Sequence, residues 1–165
     1  MPSKQIVFAI VTFLHDLFTA VWIGGVITLG ITVLPSAKKV LGMGPQTKKL
    51  MDAIQKRLSV LVYVSIVVLV VTGMLQANRN PAFGGLFSFG NPYSTVLTLK
   101  HILVLAMVAI ALYRSLVLGR RSGPSSPAQE KTKAGLLFLN IALGIAVLLL
   151  SGFSAALASG EPPPA

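Results

Sequence analysis

The chain has 165 residues, 54% of them hydrophobic and only 11% charged, with 15 glycines, 10 prolines and no cysteine. An ordinary soluble domain is about 45–50% apolar and about 25% charged, so this composition excludes a water-soluble globular fold and points to lipid as the solvent. Without cysteine, disulfides, thiolate metal sites, covalently attached haem and iron–sulfur clusters are excluded as well.

A hydrocarbon core of about 30 Å needs about 20 apolar helical residues, and four segments meet that length, at about residues 5–34, 57–77, 93–118 and 134–159. The first is too long for a signal peptide, has no small-residue cleavage pattern and carries His15 and Asp16 where such a peptide is purely apolar, so it is expected to remain as a span. The second is rich in valine between Leu58 and Leu75, yet a lone strand cannot satisfy its backbone in lipid, and helix is the reading there too. Pro35 and Pro45 punctuate the first connection, Pro81 and Pro92 the second, and Gly123, Pro124 and Pro127 the third. The expected fold is an all-α integral membrane four-helix bundle, one domain over residues 1–165.

The formal net charge of +10 follows the connections. Lys38, Lys39, Lys48, Lys49, Lys56 and Arg57 lie on or beside the first, and Arg114, Arg120, Arg121, Lys131 and Lys133 on or beside the third. Both connections lie on one side of an even-numbered bundle. The positive-inside rule therefore puts them in the cytoplasm and the N-terminus, the 78–92 loop and the C-terminus outside, in a multi-pass protein of the cytoplasmic membrane. The charge is read as topology and not as nucleic-acid binding, and contact with anionic lipid of the bilayer follows from it.

Ionisable residues within a span cost at least about 2.5–3.5 kcal/mol on insertion scales, so each needs a partner or a purpose. Four stand out: His15, Asp16, Lys100 and His101. His15 is about ten residues into the first span and His101 about eight into the third, so at about 1.5 Å per residue the chain's two histidines fall at nearly the same depth, roughly 15 and 12 Å. Two neutral imidazoles from two helices are what axial ligation of a haem iron requires, and hydrogen bonding to neighbouring helices is the plainer alternative. Phe8, Thr12, His15, Thr19 and Trp22 share one face of the first helix and offer aromatic and small residues to a flat ring. Gly24 and Gly25 follow, where close approach of a cofactor and close approach of a helix explain the glycines equally well.

Lys100 and Asp16 are each one residue from a histidine. They either pair with one another across the helices, or Lys100 receives an anionic group such as a haem propionate or a semiquinone while Asp16 carries a proton. Asn140, Gly144, Ser151 and Ser154 form a small and polar stripe on the fourth helix, read as a packing seam. Tyr63 and Arg114 are expected to snorkel towards the interface. Methionines tell on copper, because Cu(I) prefers thioethers: the outer loop has none, but His15, His101 and Met74 can make a small internal site. No hydrolase triad, phosphate loop or carboxylate pair can be assembled from four dispersed acids.

The run His15, six residues, Trp22, one residue, Gly24-Gly25, then Pro35 resembles the first helix of the CopD-like superfamily, which includes the copper resistance D membrane domain and HemJ-type protoporphyrinogen oxidase. Thr72-Gly73 resembles the small-residue ending of that family's next span, and Lys100 with its following apolar run resembles its lysine-bearing third helix; the resemblance covers about residues 10–118. HemJ-like proteins are described as haem b binding, so the likeness implies His15 as a ligand and Lys100 as a functional position. An arginine expected shortly after the double glycine is absent, with Leu29, Gly30 and Ile31 in its place, which speaks against porphyrinogen oxidation.

The resulting expectation is a haem b protein passing electrons to or from a quinone or a partner redox subunit. His15 and His101 are its axial ligands, Lys100 a propionate or quinone contact, and Trp22, Thr19 and Gly25 line the cofactor. A larger redox complex or a homo-oligomer is the expected assembly. The alternatives are a copper transport or handling protein using the same histidines with Met74, and a cofactor-free structural subunit of a larger membrane complex.

Overall fold

The computed structural model describes residues 3–118 and 126–159; Arg120, Arg121, Gly123 and Pro124 of the third connection lie outside them. Four long helices, each apolar enough to cross a membrane, make up almost all of the described chain, which contains no strand. They are α1 (Ser3–Leu41), α2 (Pro45–Ala77), α3 (Pro92–Leu118) and α4 (Pro127–Ser159). The expected all-α membrane bundle is the fold observed.

The boundaries follow local chemistry. α1 runs through Pro35 and stops six residues later, where Gly42 takes φ +73° and breaks the helix. The expected break at Pro35 fails because the preceding turns, Thr28–Val33, are π-helical: the wider turn leaves room for the pyrrolidine ring where a regular α-turn would press it against the carbonyl four residues back. Two further π-helical segments occur, Ala20–Gly24 within α1 and Tyr113–Leu118 closing α3. α2 starts with Pro45 in its first turn, about three turns before its apolar stretch, so Lys48, Lys49, Lys56 and Arg57 ride on helix beyond the lipid. Asn91 caps α3, its side chain accepting from the Ser94 N–H at 2.7 Å with Pro92 just inside. Pro127 likewise belongs to the first turn of α4 and not to the connection. Ahead of it Ser126 and Gln129 form a reciprocal capping box, with N–H to side-chain distances of 3.3 and 3.2 Å.

Consecutive helices pack side by side and α1 closes the ring against α4, whereas α2 and α3 approach least closely. The core joins Trp22, Ile23, Val26 and Leu29 of α1 to Val62 of α2, Met107 of α3 and Leu137, Ile141 and Val147 of α4. Glycines set the closeness of two crossings: a Cβ at Gly30 would stand 2.5 Å from Ile141 Cδ1, and one at Gly144 would stand 3.1 Å from Ile23 Cγ2. Large apolar side chains such as Phe13, Val67 and Leu149 point outwards, as lipid-facing positions should.

Candidate functional site: a cavity between the second and third helices

Where α2 and α3 part, near the end of the bundle that carries the 78–91 loop, a cavity of about 500 Å³ opens, walled mostly by those two helices and completed by α1, α4 and the loop. His15, Thr19 and Trp22 line it from α1, Met74 from α2, and Lys100, His101 and Met107 from α3. The two histidines singled out by depth therefore do meet in one space, together with the lysine between them in sequence order and two of the five methionines.

Hydrogen bonding fixes the chemical state of both imidazoles. The Thr72 hydroxyl donates its hydrogen to the Val68 carbonyl at 2.7 Å, so towards His15 it can only accept, and His15 Nδ1 is the donor across 2.9 Å. Gly73 faces the same ring, where a Cβ would stand in ordinary contact, 3.4 Å from His15 Cε1. A backbone carbonyl also only accepts, so His101 Nδ1 donates to Leu86 O at 3.2 Å. The Phe87 ring stands beside His101, its centroid 6.5 Å away and its plane tilted by 59°. In the neutral form each ring thus carries its proton on Nδ1 and keeps an unshared pair on Nε2, the state a metal-binding histidine adopts when its other nitrogen is anchored.

Other expectations fare differently. Gly25 is not at the cavity: a Cβ there would stand 2.8 Å from Leu58 Cδ1, so the missing side chain serves the crossing of α1 with α2 and not cofactor clearance. Thr19 lines the cavity, but its hydroxyl hydrogen is donated to the His15 carbonyl at 2.8 Å, leaving only lone pairs to offer. Asp16 is exposed and, among the described residues, makes no ion pair with Lys100, although its charge still acts on the ammonium through space; Lys100 is half-buried at the cavity wall. Phe8 does not reach a bound ring either, since Arg79 stacks on it at 4.1 Å. The small-polar stripe of α4 divides: Gly144 packs against Ile23 and Met107, whereas Ser151 and Ser154 line the cavity. Arg114 does not snorkel; it is 8% exposed within the bundle.

Sequence reasoning missed three contributors. Met107 is nearly inaccessible at 1% exposure and borders the cavity. Thr72 is the anchor of His15, a role legible only as a small polar residue at the depth of that histidine on another helix. The Leu86 carbonyl comes from a loop residue whose backbone position no pattern announces. Among the described residues no group of three or more His, Cys, Asp or Glu could hold a metal ion, so a metal in this cavity would lean on two imidazoles and thioethers.

No curated protein and no solved structure matches the chain. The family described as Copper resistance protein D matches residues 52–154, more than half of the chain, and the protein belongs to that family.

Proposed function

We propose, from membership of the Copper resistance protein D family and the make-up of the cavity, that this integral membrane protein handles copper, with Cu(I) as its cargo. The observation that carries the reading is the pair of imidazoles anchored through Nδ1, each keeping Nε2 unprotonated, on the wall of one cavity that Met74 and Met107 also line. Imidazole and thioether are a neutral, soft donor set that suits Cu(I), and among the described residues no carboxylate lines the space to attract a hard divalent cation. His15 and His101 are the primary ligands in this reading, Met74 and Met107 the auxiliary ones, and Thr72 and the Leu86 carbonyl hold the two rings in orientation. The positive-inside rule gives the direction: the cavity faces the outer side, and the basic end, with Lys38, Lys39, Lys48 and Lys49, lies in the cytoplasm against anionic lipid.

The cavity volume favours a second reading, haem b. About 500 Å³ lies within the roughly 300–1,000 Å³ of sites for organic ligands and far exceeds the room a single ion needs. His15 and His101 would hold the group through Nε2, Lys100 is free to meet a propionate, and haem bound there would supply one-electron exchange with a quinone or a partner subunit. Metal analysis and visible absorption of the purified protein decide between the readings. We expect about one copper per chain after loading with Cu(I), lost in His15→Ala and in His101→Ala while the helices stay folded. A reduced b-type spectrum at one haem per chain, with no copper retained, refutes the copper reading, and a chain that retains neither refutes both in favour of a structural subunit.

A further inference from the structure

We propose that the bundle contains a second site, independent of the first: a halide-sized anion site built around Arg114 in the half nearer the basic end. A small cavity of about 30 Å³ lies there, and Trp22, Tyr63, Arg114 and Asn140 are among its walls. Trp22, Arg114 and Asn140 are 2%, 8% and 1% exposed. Trp22 Nε1, Tyr63 Oη, Arg114 Nε and Asn140 Oδ1 are all buried without a hydrogen-bond partner.

Four buried polar atoms without a protein partner on residues around one small space call for an occupant, since buried polar groups are bonded to protein, water or an ion almost without exception. The guanidinium is the decisive one: it cannot shed its proton, its Nε is buried without a protein partner, and a charge held at 8% exposure is costly unless something compensates it. Among the described residues no carboxylate lines the cavity; Asp16 and Asp52 are exposed, and Glu130 pairs with Lys133 at 3.8 Å. Arg114 Nε and Trp22 Nε1 can only donate, the Tyr63 hydroxyl can donate, and the Asn140 amide turned through half a rotation presents its NH₂ to the same point. A convergent set of donors around a fixed positive charge calls for an anion, whereas a water would satisfy hydrogen bonds and leave the charge uncompensated.

Size selects the anion. A water needs about 10–15 Å³ of such space, so about 30 Å³ holds one or two water-sized particles and fits a monatomic anion better than a carboxylate, a phosphate or a lipid headgroup. Chloride is the fitting species. A separate observation converges on the same place: each of the three π-helical segments supplies a wall residue, Trp22 from Ala20–Gly24, Leu29 from Thr28–Val33 and Arg114 from Tyr113–Leu118. Wide turns of this kind recur at functional sites, where they re-aim side chains that a regular helix would point elsewhere.

The test is a set of thermal melts of the full chain in detergent at constant ionic strength, in sodium chloride, bromide and gluconate. We expect a melting temperature several degrees higher in chloride and bromide than in gluconate, with no such difference in Arg114→Gln. Trp22→Phe, which keeps the ring and removes only the N–H, narrows the difference, and an anomalous bromide peak beside Arg114 in a bromide-grown crystal locates the ion. Equal melts in chloride and gluconate, or no bromide peak at Arg114, overturn the proposal and make the cavity a water site. The peak carries the test on the wild-type chain even if both variants fail to fold.

Discussion

Thr72→Val tests the anchoring of His15 most directly. Valine matches threonine in shape, so the buried position on α2 is filled as before, at 4% exposure, but the atom that accepts the His15 Nδ1 proton across 2.9 Å is gone. The donor is then left unsatisfied in a half-buried site, a loss of about 1–3 kcal/mol. Partners that orient a metal-binding histidine are worth about 10–100-fold in metal affinity, which is about 1.4–2.8 kcal/mol and agrees with that range. Titration of Cu(I) against a chromophoric chelator should therefore show affinity falling by about one to two decades in Thr72→Val, with Thr72→Ser close to wild type because it restores the hydroxyl. Nitrogen-15 chemical shifts of the His15 ring should report loss of the pure Nδ1–H tautomer in the valine variant only. Unchanged affinity together with an unchanged ring spectrum would refute the claim that Thr72 sets the state of His15.

Three further outcomes are expected. Gly30→Ala, whose new methyl would meet Ile141 Cδ1 at 2.5 Å, should lower the melting temperature by an amount equivalent to about 1–3 kcal/mol without changing the ratio of copper bound per folded chain, and equal stability would show that the α1–α4 crossing is looser than described. In intact cells a cysteine at Ala82 should react with an impermeant thiol reagent applied outside and one at Met43 should not; the reverse labelling inverts the bundle. Lys100→Leu separates cargo from cofactor by sign: removing a positive charge from the wall should tighten Cu(I) by about tenfold, whereas a haem propionate that had relied on the ammonium would be released.

The four spans were legible because length and hydropathy in lipid leave a chain few choices, and the ends of α2 and α3 at Ala77, Pro92 and Leu118 fall within a residue of the expected limits. Pro35 misled because a proline reads as a helix end unless the turns before it widen, and no residue type marks a π-helical turn in advance. Depth along the helix brought His15 and His101 to one cavity, since rise per residue is nearly constant. Azimuth was less readable: Gly25, only three residues from Trp22, turns to Leu58 and not to the cavity. Rotation about a helix axis accumulates error with every irregular turn, and the first of the two irregular stretches of α1, Ala20–Gly24, lies immediately before Gly25. Long-range partners such as Thr72 and the Leu86 carbonyl depend on which helices touch, information that one sequence carries only weakly.

Trp22 is a wall of both cavities, and its chemistry decides how they communicate. An indole donates one hydrogen through Nε1 and accepts none, so it cannot pass a proton along, because a relay must take one up on one side as it gives one up on the other. Trp22 therefore offers no proton relay between the cavity of the imidazoles and that of Arg114. Near the loop end the imidazole and thioether donors share their cavity with the Lys100 ammonium, and nearer the basic end stands the Arg114 guanidinium. On the copper reading proposed above, a Cu(I) ion entering from the loop end would meet the imidazole and thioether donors on the near side of the indole, and two positive charges, Lys100 beside them and Arg114 beyond, would oppose its going deeper.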